Sequence, residues 1–425
     1  MFKYICAFFV LSQILLCNVS IANQGYDVAA YVWPAYQPEP RWKEFGLFKH
    51  GTGEWENVYT AVKKRPWQDE PRTPLWGYEP EDDSVVLARK IDACLAAGVN
   101  VLIYDWYWYR GRPFLENGIN AFMKAPNFER IKFAIMWANH DIDDLWDKTV
   151  PVKCRDKKGY RNIRCIAGGT DLEEFKTKLV PRWIEYFKKP NYYKINGKPL
   201  FQIFSPVGLA ERFGSMENFK EAMSYFENET KKAGFPGIEI MPTTSILPKN
   251  PSAKDTDTDY VKKMRQCLDF YQSKNWKSVF AYNWLELGTK FEGGSYYQDY
   301  EGRKDIDYKE WGDLAYDKFA QKKKDYPDTV IFPNVTCGWD CNSRFPANVY
   351  VPVARDNTPE RFEYFLRKAK QWCDTQIPAG YPKLILINSL NEWTEGSYLE
   401  PDTKYGYGFL NALARVFGAH GQAAE

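Results

Sequence analysis

Histidine is scarce in this chain: His50, His140 and His420 are the only three in 425 residues. None is spaced with a cysteine or another histidine as zinc ligation requires, so no metal centre is expected. An excess of charge of one sign is also missing. The formal net charge is +2 at pH 7, which singles out neither nucleic acid nor an anionic membrane surface as a partner. Neither G-x-x-x-x-G-K-[S/T] nor G-x-G-x-x-G occurs, so nothing points to a phosphate cradle or a nucleotide cofactor, and no cofactor is expected. Beyond the first two dozen residues no apolar run approaches the ~20 residues of a membrane span.

The N-terminus reads as an export signal. Lys3 precedes an apolar run from Tyr4 to Val19, and Ser20-Ile21-Ala22 offers small residues for cleavage near Ala22. The expected location is therefore secreted or periplasmic. A lipid anchor at Cys17 is the alternative, disfavoured by the bulky Leu16 before it. Residues 23–425 are expected to form a single catalytic domain. Nine cysteines include Cys6 and Cys17 of the signal. In an oxidising compartment Cys154–Cys165 and Cys337–Cys341 are the candidate local bridges.

Apolar runs and helical patterns alternate along the rest of the chain. Strands are expected at Val28–Val32, Val99–Tyr104, Phe133–Trp137, Leu200–Phe204, Ile238–Met241, Ser278–Tyr282, Val330–Phe332 and Leu384–Ile387. Helices are expected between them. In Ser84–Ala97 the residues Val85, Leu87, Ile91, Cys94 and Leu95 recur at helical spacing before Gly98. Ser215 caps Met216–Lys232 and Thr358-Pro359 opens the helix of Phe362 and Phe365. Pro181 is expected to kink the helical stretch Leu172–Lys188 or to divide it in two. Eight buried strands alternating with helices indicate an α/β fold, a (β/α)8 TIM barrel with long βα loops. The Pro-rich stretch up to about Pro80 reads as a long loop over the barrel mouth.

The last strand carries the strongest chemical signal. Leu384–Ile387 runs into Asn388-Ser389-Leu390-Asn391-Glu392-Trp393-Thr394-Glu395-Gly396. Carboxylates after a buried parallel strand stand where such folds place their chemistry. Two glutamates three residues apart suit glycosidic cleavage, which commonly needs one protonated and one charged carboxyl. Trp393 can offer a flat apolar face to a sugar ring. The bland alternative is a solvated, Glu-rich loop. Other strand ends add polar and aromatic groups: Asp105-Trp106, Trp137 with Asn139 and His140, Tyr282-Asn283 with Glu286, and Trp339-Asp340 with Arg344. Each is either a sugar contact or a loop brace, and Asp340 with Arg344 is either an ion pair shaping the mouth or a pair of substrate ligands. Asp255-Thr256-Asp257-Thr258-Asp259 resembles a calcium loop only superficially, since Tyr260 and Gln266 stand where such a loop needs Gly and Glu.

Four motifs occur in order: Gly53-Glu54-Trp55-Glu56-Asn57-Val58, Trp137-Ala138-Asn139, Gly338-Trp339-Asp340 with Arg344, and Asn391-Glu392-Trp393-Thr394-Glu395-Gly396. The last is followed by Tyr398-Leu399-Glu400-Pro401 and Tyr405-Gly406-Tyr407. This set, spread over roughly residues 26–418, resembles the WbsX-like family, which is related to the endo-α-mannosidases of glycoside hydrolase family 99. The resemblance implies the barrel fold, an oligo- or polysaccharide substrate, and a catalytic pair Glu392 and Glu395. Glu395 is then the general acid and base, and Glu392 the carboxylate that deprotonates the substrate's own 2-hydroxyl. Glu54, Trp55, Asp105, Trp106, Trp137, Asn139, His140, Tyr282, Asn283, Glu286, Trp339, Asp340, Arg344, Asn391 and Trp393 are the expected substrate contacts. Thr394 stands where the mannosidases typically carry His. The expected activity is cleavage of α-linked glycans with retention. The alternatives are a WbsX-type glycosyltransferase and a non-catalytic glycan-binding protein.

Overall fold

The structure is a computed structural model that describes residues 25–142, 147–149, 166, 168–287 and 304–418. Its centre is a ring of parallel strands: β1 (Tyr26–Val32), β2 (Val101–Tyr109), β3 (Lys132–Trp137), β4 (Lys198–Ile203), β5 (Glu239–Pro242), β6 (Ser278–Val279), β7 (Val330–Ile331) and β8 (Lys383–Asn388). β1 pairs in parallel with both β2 and β8, so the first and last strands meet in the sheet. β2 pairs with β3, β3 with β4 and β4 with β5. A parallel bridge between Thr243 and Phe280 joins β5 to β6, and β6 pairs with β7. Pro333, which has no N–H to donate, interrupts the seventh strand. The strand resumes at Asn334–Thr336 and pairs with β8, which closes the (β/α)8 barrel.

The outer layer follows the helical patterning. Its main helices are α1 (Ser84–Ala97), α2 (Glu116–Phe122), α3 (Val180–Phe187), α4 (Met216–Lys232), α5 (Asp259–Ser273), α6 (Tyr308–Asp325), α7 (Pro359–Gln376) and α8 (Gly408–Phe417). Asp83 caps α1 by accepting from Val85 N at 2.8 Å. At its other end Gly98 has φ +90°, and a Cβ there would stand 3.0 Å from the Phe417 carbonyl, so only glycine lets α8 pack this closely. Ser215 caps α4 through Asn218 N at 3.1 Å. Leu384, Ile385, Leu386 and Ile387 of β8 are all fully buried. Burial of this kind stabilises by about 1.5–3 kcal/mol per side chain.

Several expectations need correction. Val85 is exposed although it shares the helical spacing of buried Leu87 and Ile91, because it lies in the first turn of α1, beyond the core stripe. The second strand continues through Asp105 to Tyr109. The sixth is shorter than expected, because the Tyr282 N–H turns onto the Glu286 carboxylate at 2.8 Å and starts the helical turn Trp284–Leu287. The Leu172–Lys188 stretch does divide, through a wide turn at Phe175–Leu179 just before Pro181. The long loop after β1 contains two short helices, Arg41–Phe45 and Trp55–Tyr59. The Cys337–Cys341 bridge does not form: Cys337 keeps its thiol, whose Sγ lies 3.9 Å from Ser389 O. The expected signal segment and the Cys154–Cys165 pair lie outside the described residues. Among the described residues no helix is long and apolar enough to cross a membrane.

Candidate active site

Alternation along the strands decides what faces the barrel interior. On β2 the side chains of Tyr104 and Trp106 point outward, onto Phe122 of α2 and Trp183 of α3. Asp105 and Tyr107 therefore point inward. On β1 the inward series is Ala29 and Tyr31, and it continues to Trp33. Tyr31 OH donates to Gln202 Oε1 of β4 across the barrel at 3.0 Å. Tyr282 OH, after β6, donates to Asp105 Oδ2 at 2.9 Å. These cross-barrel bonds form a floor beneath the C-terminal mouth, the end at which such barrels place their chemistry.

Above that floor, β8 ends in a tight hairpin. Ser389 Oγ accepts from Glu392 N and donates to Ser397 O, both at 2.7 Å. Asn391–Glu392 pairs antiparallel with Ser397–Tyr398 around the turn Trp393–Glu395. Gly396 closes the turn with φ +61°, and a Cβ there would come within 3.0 Å of Asp340. Both the left-handed backbone and the close contact call for glycine. The hairpin turns Glu392 and Glu395 toward one side chain, Arg344. Its Nη2 donates to Glu392 Oε1 at 2.8 Å and its Nη1 to Glu395 Oε1 at 2.9 Å. Nη2 also lies 3.3 Å from Glu54 Oε2, and Nε donates to Thr394 Oγ1 at 2.9 Å. One guanidinium fork thus holds an oxygen of each glutamate of the E-x-x-E pair.

Glu54 is fully buried beside them. Its Oε2 accepts from Trp33 Nε1 at 2.9 Å and from Thr394 Oγ1 at 2.5 Å. The Thr394 hydroxyl also lies 3.2 Å from Glu392 Oε1, while its backbone N–H donates to Tyr36 OH at 3.0 Å.

Burial and crowding of acids set the protonation. Glu392 is held well above the usual carboxylate range by burial first and by Glu395 next, against the pull of Arg344; Glu54 and Asp105 push the same way. Asp105 is also raised well above its usual range, again chiefly by burial, although the Tyr282 hydrogen bond opposes this. Glu286 is pushed up to about 8 by burial. Burial lowers His140, and Tyr107 and Tyr282 are held firmly protonated for the same reason. The site therefore gathers several carboxyl groups around one cation and can keep some of them as neutral acids near pH 7. That is the mixture of proton donor and acceptor that acid–base chemistry on a glycosidic bond needs.

The structure brings Glu54, Glu392, Glu395 and Arg344 into contact. It places Asp105 and Tyr282 in the floor and Glu286 next to Tyr282. His140 stands half-buried above them, its ring against Tyr107 and Phe204. Other expected contacts are spent elsewhere. Trp106 and Trp137 face outward and pack on Trp183, with Trp106 Nε1 bound to Glu116. Trp55 is buried against Tyr36 and donates to Glu79 O. Trp393 stacks on Tyr398 at 3.7 Å and donates to Glu400, so its face is covered by another ring. Asn139 braces Ser205 through two bonds of 2.8 Å, and Asn391 braces the Trp33 backbone in the same way. Asn283 accepts from Leu285 N and shapes its own turn. Asp340 and Arg344 do not pair: Asp340 binds Asn342 and Gln68, while Arg344 turns to the glutamates. Trp339 is buried and bridges to Ala354.

Sequence reasoning missed Thr394, Trp33 and Tyr36. Thr394 stands out in the E-x-x-E stretch only as the residue in place of a His, and nothing local marks its hydroxyl as a bridge between Glu54 and Arg344. Trp33 continues the inward alternation of β1 past the strand end, and that alternation is its one local signal. Among the described residues no group of His, Cys, Asp and Glu is arranged to hold a metal ion, and a guanidinium stands at the centre of the glutamates.

A closed barrel with a buried acid cluster at its C-terminal mouth is the place where this class of fold, the (β/α)8 barrel, carries its chemistry. The chain matches the family described as Glycosyltransferase WbsX over residues 28–413 and belongs to that family. Two relatives, both described as uncharacterized protein WxcX and from two strains of Xanthomonas campestris pv. campestris, are each 21% identical over 392 residues. The alignment covers 92% of this chain and 49% of theirs, so the chain spans about half the length of the curated relatives it matches. Among solved structures, a glycoside hydrolase-like protein superposes with a TM-score of 0.54 at 13% identity, covering 93% of this chain and 94% of that one. It shares the fold. The family 99 endo-α-mannosidase of Bacteroides thetaiotaomicron superposes with a TM-score of 0.48 at 13% identity, covering 92% and 95%.

Proposed function

We propose that this chain is a glycoside hydrolase that cleaves α-linked, α-mannoside-like glycans with retention, using Glu392 and Glu395. The observation that carries this reading is the Arg344 fork, which holds the two carboxyls side by side in a buried pocket, as retaining cleavage requires. Burial raises Glu392 toward its protonated form, whereas the step requires the proton on Glu395. When a sugar binds, the proton therefore passes from Glu392 to Glu395, leaving Glu392 as the base. Glu395 protonates the leaving glycosidic oxygen while Glu392 takes the proton of the sugar's 2-hydroxyl. The freed oxygen closes on the anomeric carbon, giving a 1,2-anhydro sugar, and the glycosidic bond breaks. Water then opens that ring at the anomeric carbon; Glu395 takes the water proton and Glu392 returns its proton to the 2-oxygen. Arg344 balances the charge that moves between the two glutamates.

The test is release of reducing ends from a panel of α-linked polysaccharides by the wild type and by Glu395→Gln. Release by the wild type alone supports hydrolysis, and NMR of the first-formed anomer then reports retention or inversion. Full activity in Glu392→Gln or in Glu395→Gln overturns the assignment of the pair. The family's description favours a second reading, transfer of a sugar from an activated donor. Calorimetry with nucleotide sugars separates the two: micromolar binding together with no reducing-end release favours transfer.

A further inference from the structure

A second cleft, of about 120 Å3, lies beside the acid cluster and backs onto the same turn. Gly396 and Asp340 line its inner wall, and Asp340 N donates to Glu395 O at 2.6 Å, so the wall is the backbone that carries Glu395. The outer walls are the loop bearing Trp67 and the segment bearing Arg355 and Asp356.

Two features of this cleft call for a ligand. Trp67 is 53% exposed, although large aromatics are rarely left this open. Its ring does not hang loose, because Tyr350 meets it edge-on at 6.3 Å and Arg65 sits over the Tyr350 ring at 5.2 Å. The rim, in turn, holds two charged side chains that no described protein group engages. Arg355 and Asp356 are exposed, and among the described residues neither side chain makes a hydrogen bond or ion pair. The neighbouring charges are committed instead, Asp69 to Lys404 at 2.6 Å and Arg72 to Asn357 at 2.9 Å.

The chemistry of this lining selects its occupant. A fixed aromatic plate covers the C–H face of a sugar ring, while a guanidinium fork and a carboxylate serve its hydroxyls as donor and acceptor. A wholly apolar ligand would strand Arg355 and Asp356. An anionic glycan would meet Asp69, Glu70, Asp340 and Asp356 against only Arg72 and Arg355. We propose that the cleft is a second glycan-binding site, which takes a neutral oligosaccharide segment and holds the polymer next to the acid cluster. The choice of a glycan as occupant rests on the glycan-cleaving reading above; the Trp67 plate and the open rim do not.

The test is affinity electrophoresis of the full chain carrying Glu392→Gln and Glu395→Gln, run through native gels cast with α-mannan, dextran or pullulan, with alginate as the anionic control. The expected result is retardation by at least one neutral polymer, weakened fivefold or more when Trp67→Ala or Arg355→Ala is added and retained with Trp67→Phe. Matching melting temperatures show that these variants fold. No retardation, retardation by alginate alone, or retardation indifferent to Trp67→Ala would each overturn the proposal. Hydrolysis is read separately, on the wild type by reducing ends, so failure of the hydrolase reading leaves a Trp67-dependent retardation standing.

Discussion

Arg344 Nη2 donates to Glu392 Oε1 at 2.8 Å, and both side chains are buried. Without this cation three glutamates would face one another in a medium that screens poorly. Arg344 pulls Glu392 down against burial and Glu395, so its loss raises Glu392 further. For Arg344→Met the expected outcome is a loss of kcat/KM of at least a hundredfold, with the acidic limb of the pH–rate profile displaced to higher pH. Arg344→Lys keeps the charge but not the fork and should restore the limb more than the rate.

Thr394 Oγ1 donates to Glu54 Oε2 at 2.5 Å. Removing one partner of a buried hydrogen bond costs about 1–3 kcal/mol. Thr394→Val keeps the shape and removes the donor. It should lower stability by that amount in urea titration and reduce kcat roughly tenfold or more, whereas Thr394→Ser should retain most of both.

Glu286 is raised to about 8, with burial the main cause. A carboxyl raised on folding means that the folded protein binds its proton more tightly than the unfolded chain. Its contribution to stability is full below the unfolded pKa, near 4.5, and is lost as pH rises toward 8. The melting temperature of the wild type should therefore fall across that window, and Glu286→Gln should flatten the fall. An unchanged slope in the variant would remove Glu286 as its source.

Lys90 of α1 is 3% exposed and pairs with two buried glutamates, Glu81 and Glu400. Glu400 holds Trp393 Nε1, and Glu81 lies 3.2 Å from Asn391 Nδ2. The triad thus anchors the hairpin on both sides of Glu392. Lys90→Met leaves two acids buried without their cation and should cost about 3–5 kcal/mol, measured by denaturant unfolding. Stability of the variant should recover in part at low pH, as Glu81, which burial raises, takes up its proton.

The barrel was legible in the sequence because each strand is a short apolar run. Leu384–Ile387 cannot be exposed without losing most of its hydrophobic stabilisation, and helical spacing such as Leu87, Ile91, Cys94 and Leu95 marks one buried face. Caps were legible for the same local reason: Ser215 and Thr358 satisfy backbone N–H groups a few residues away. Placing Glu392 and Glu395 after β8 needed only local order in the chain.

The partners of those glutamates depend on three dimensions. Arg344 lies 48 residues from Glu392 along the chain and Glu54 lies 340 from Thr394, and no local pattern joins them. The aromatics show the limit most sharply. Trp106 and Asp105 are neighbours in sequence, yet the pleat turns one to the helices and the other to the mouth, and Trp393, beside a catalytic candidate, is covered by Tyr398. Composition and periodicity determined that this chain folds as a barrel with acids at its mouth. Closure of the sheet alone decided which acids meet, which cation they share and which rings stay uncovered.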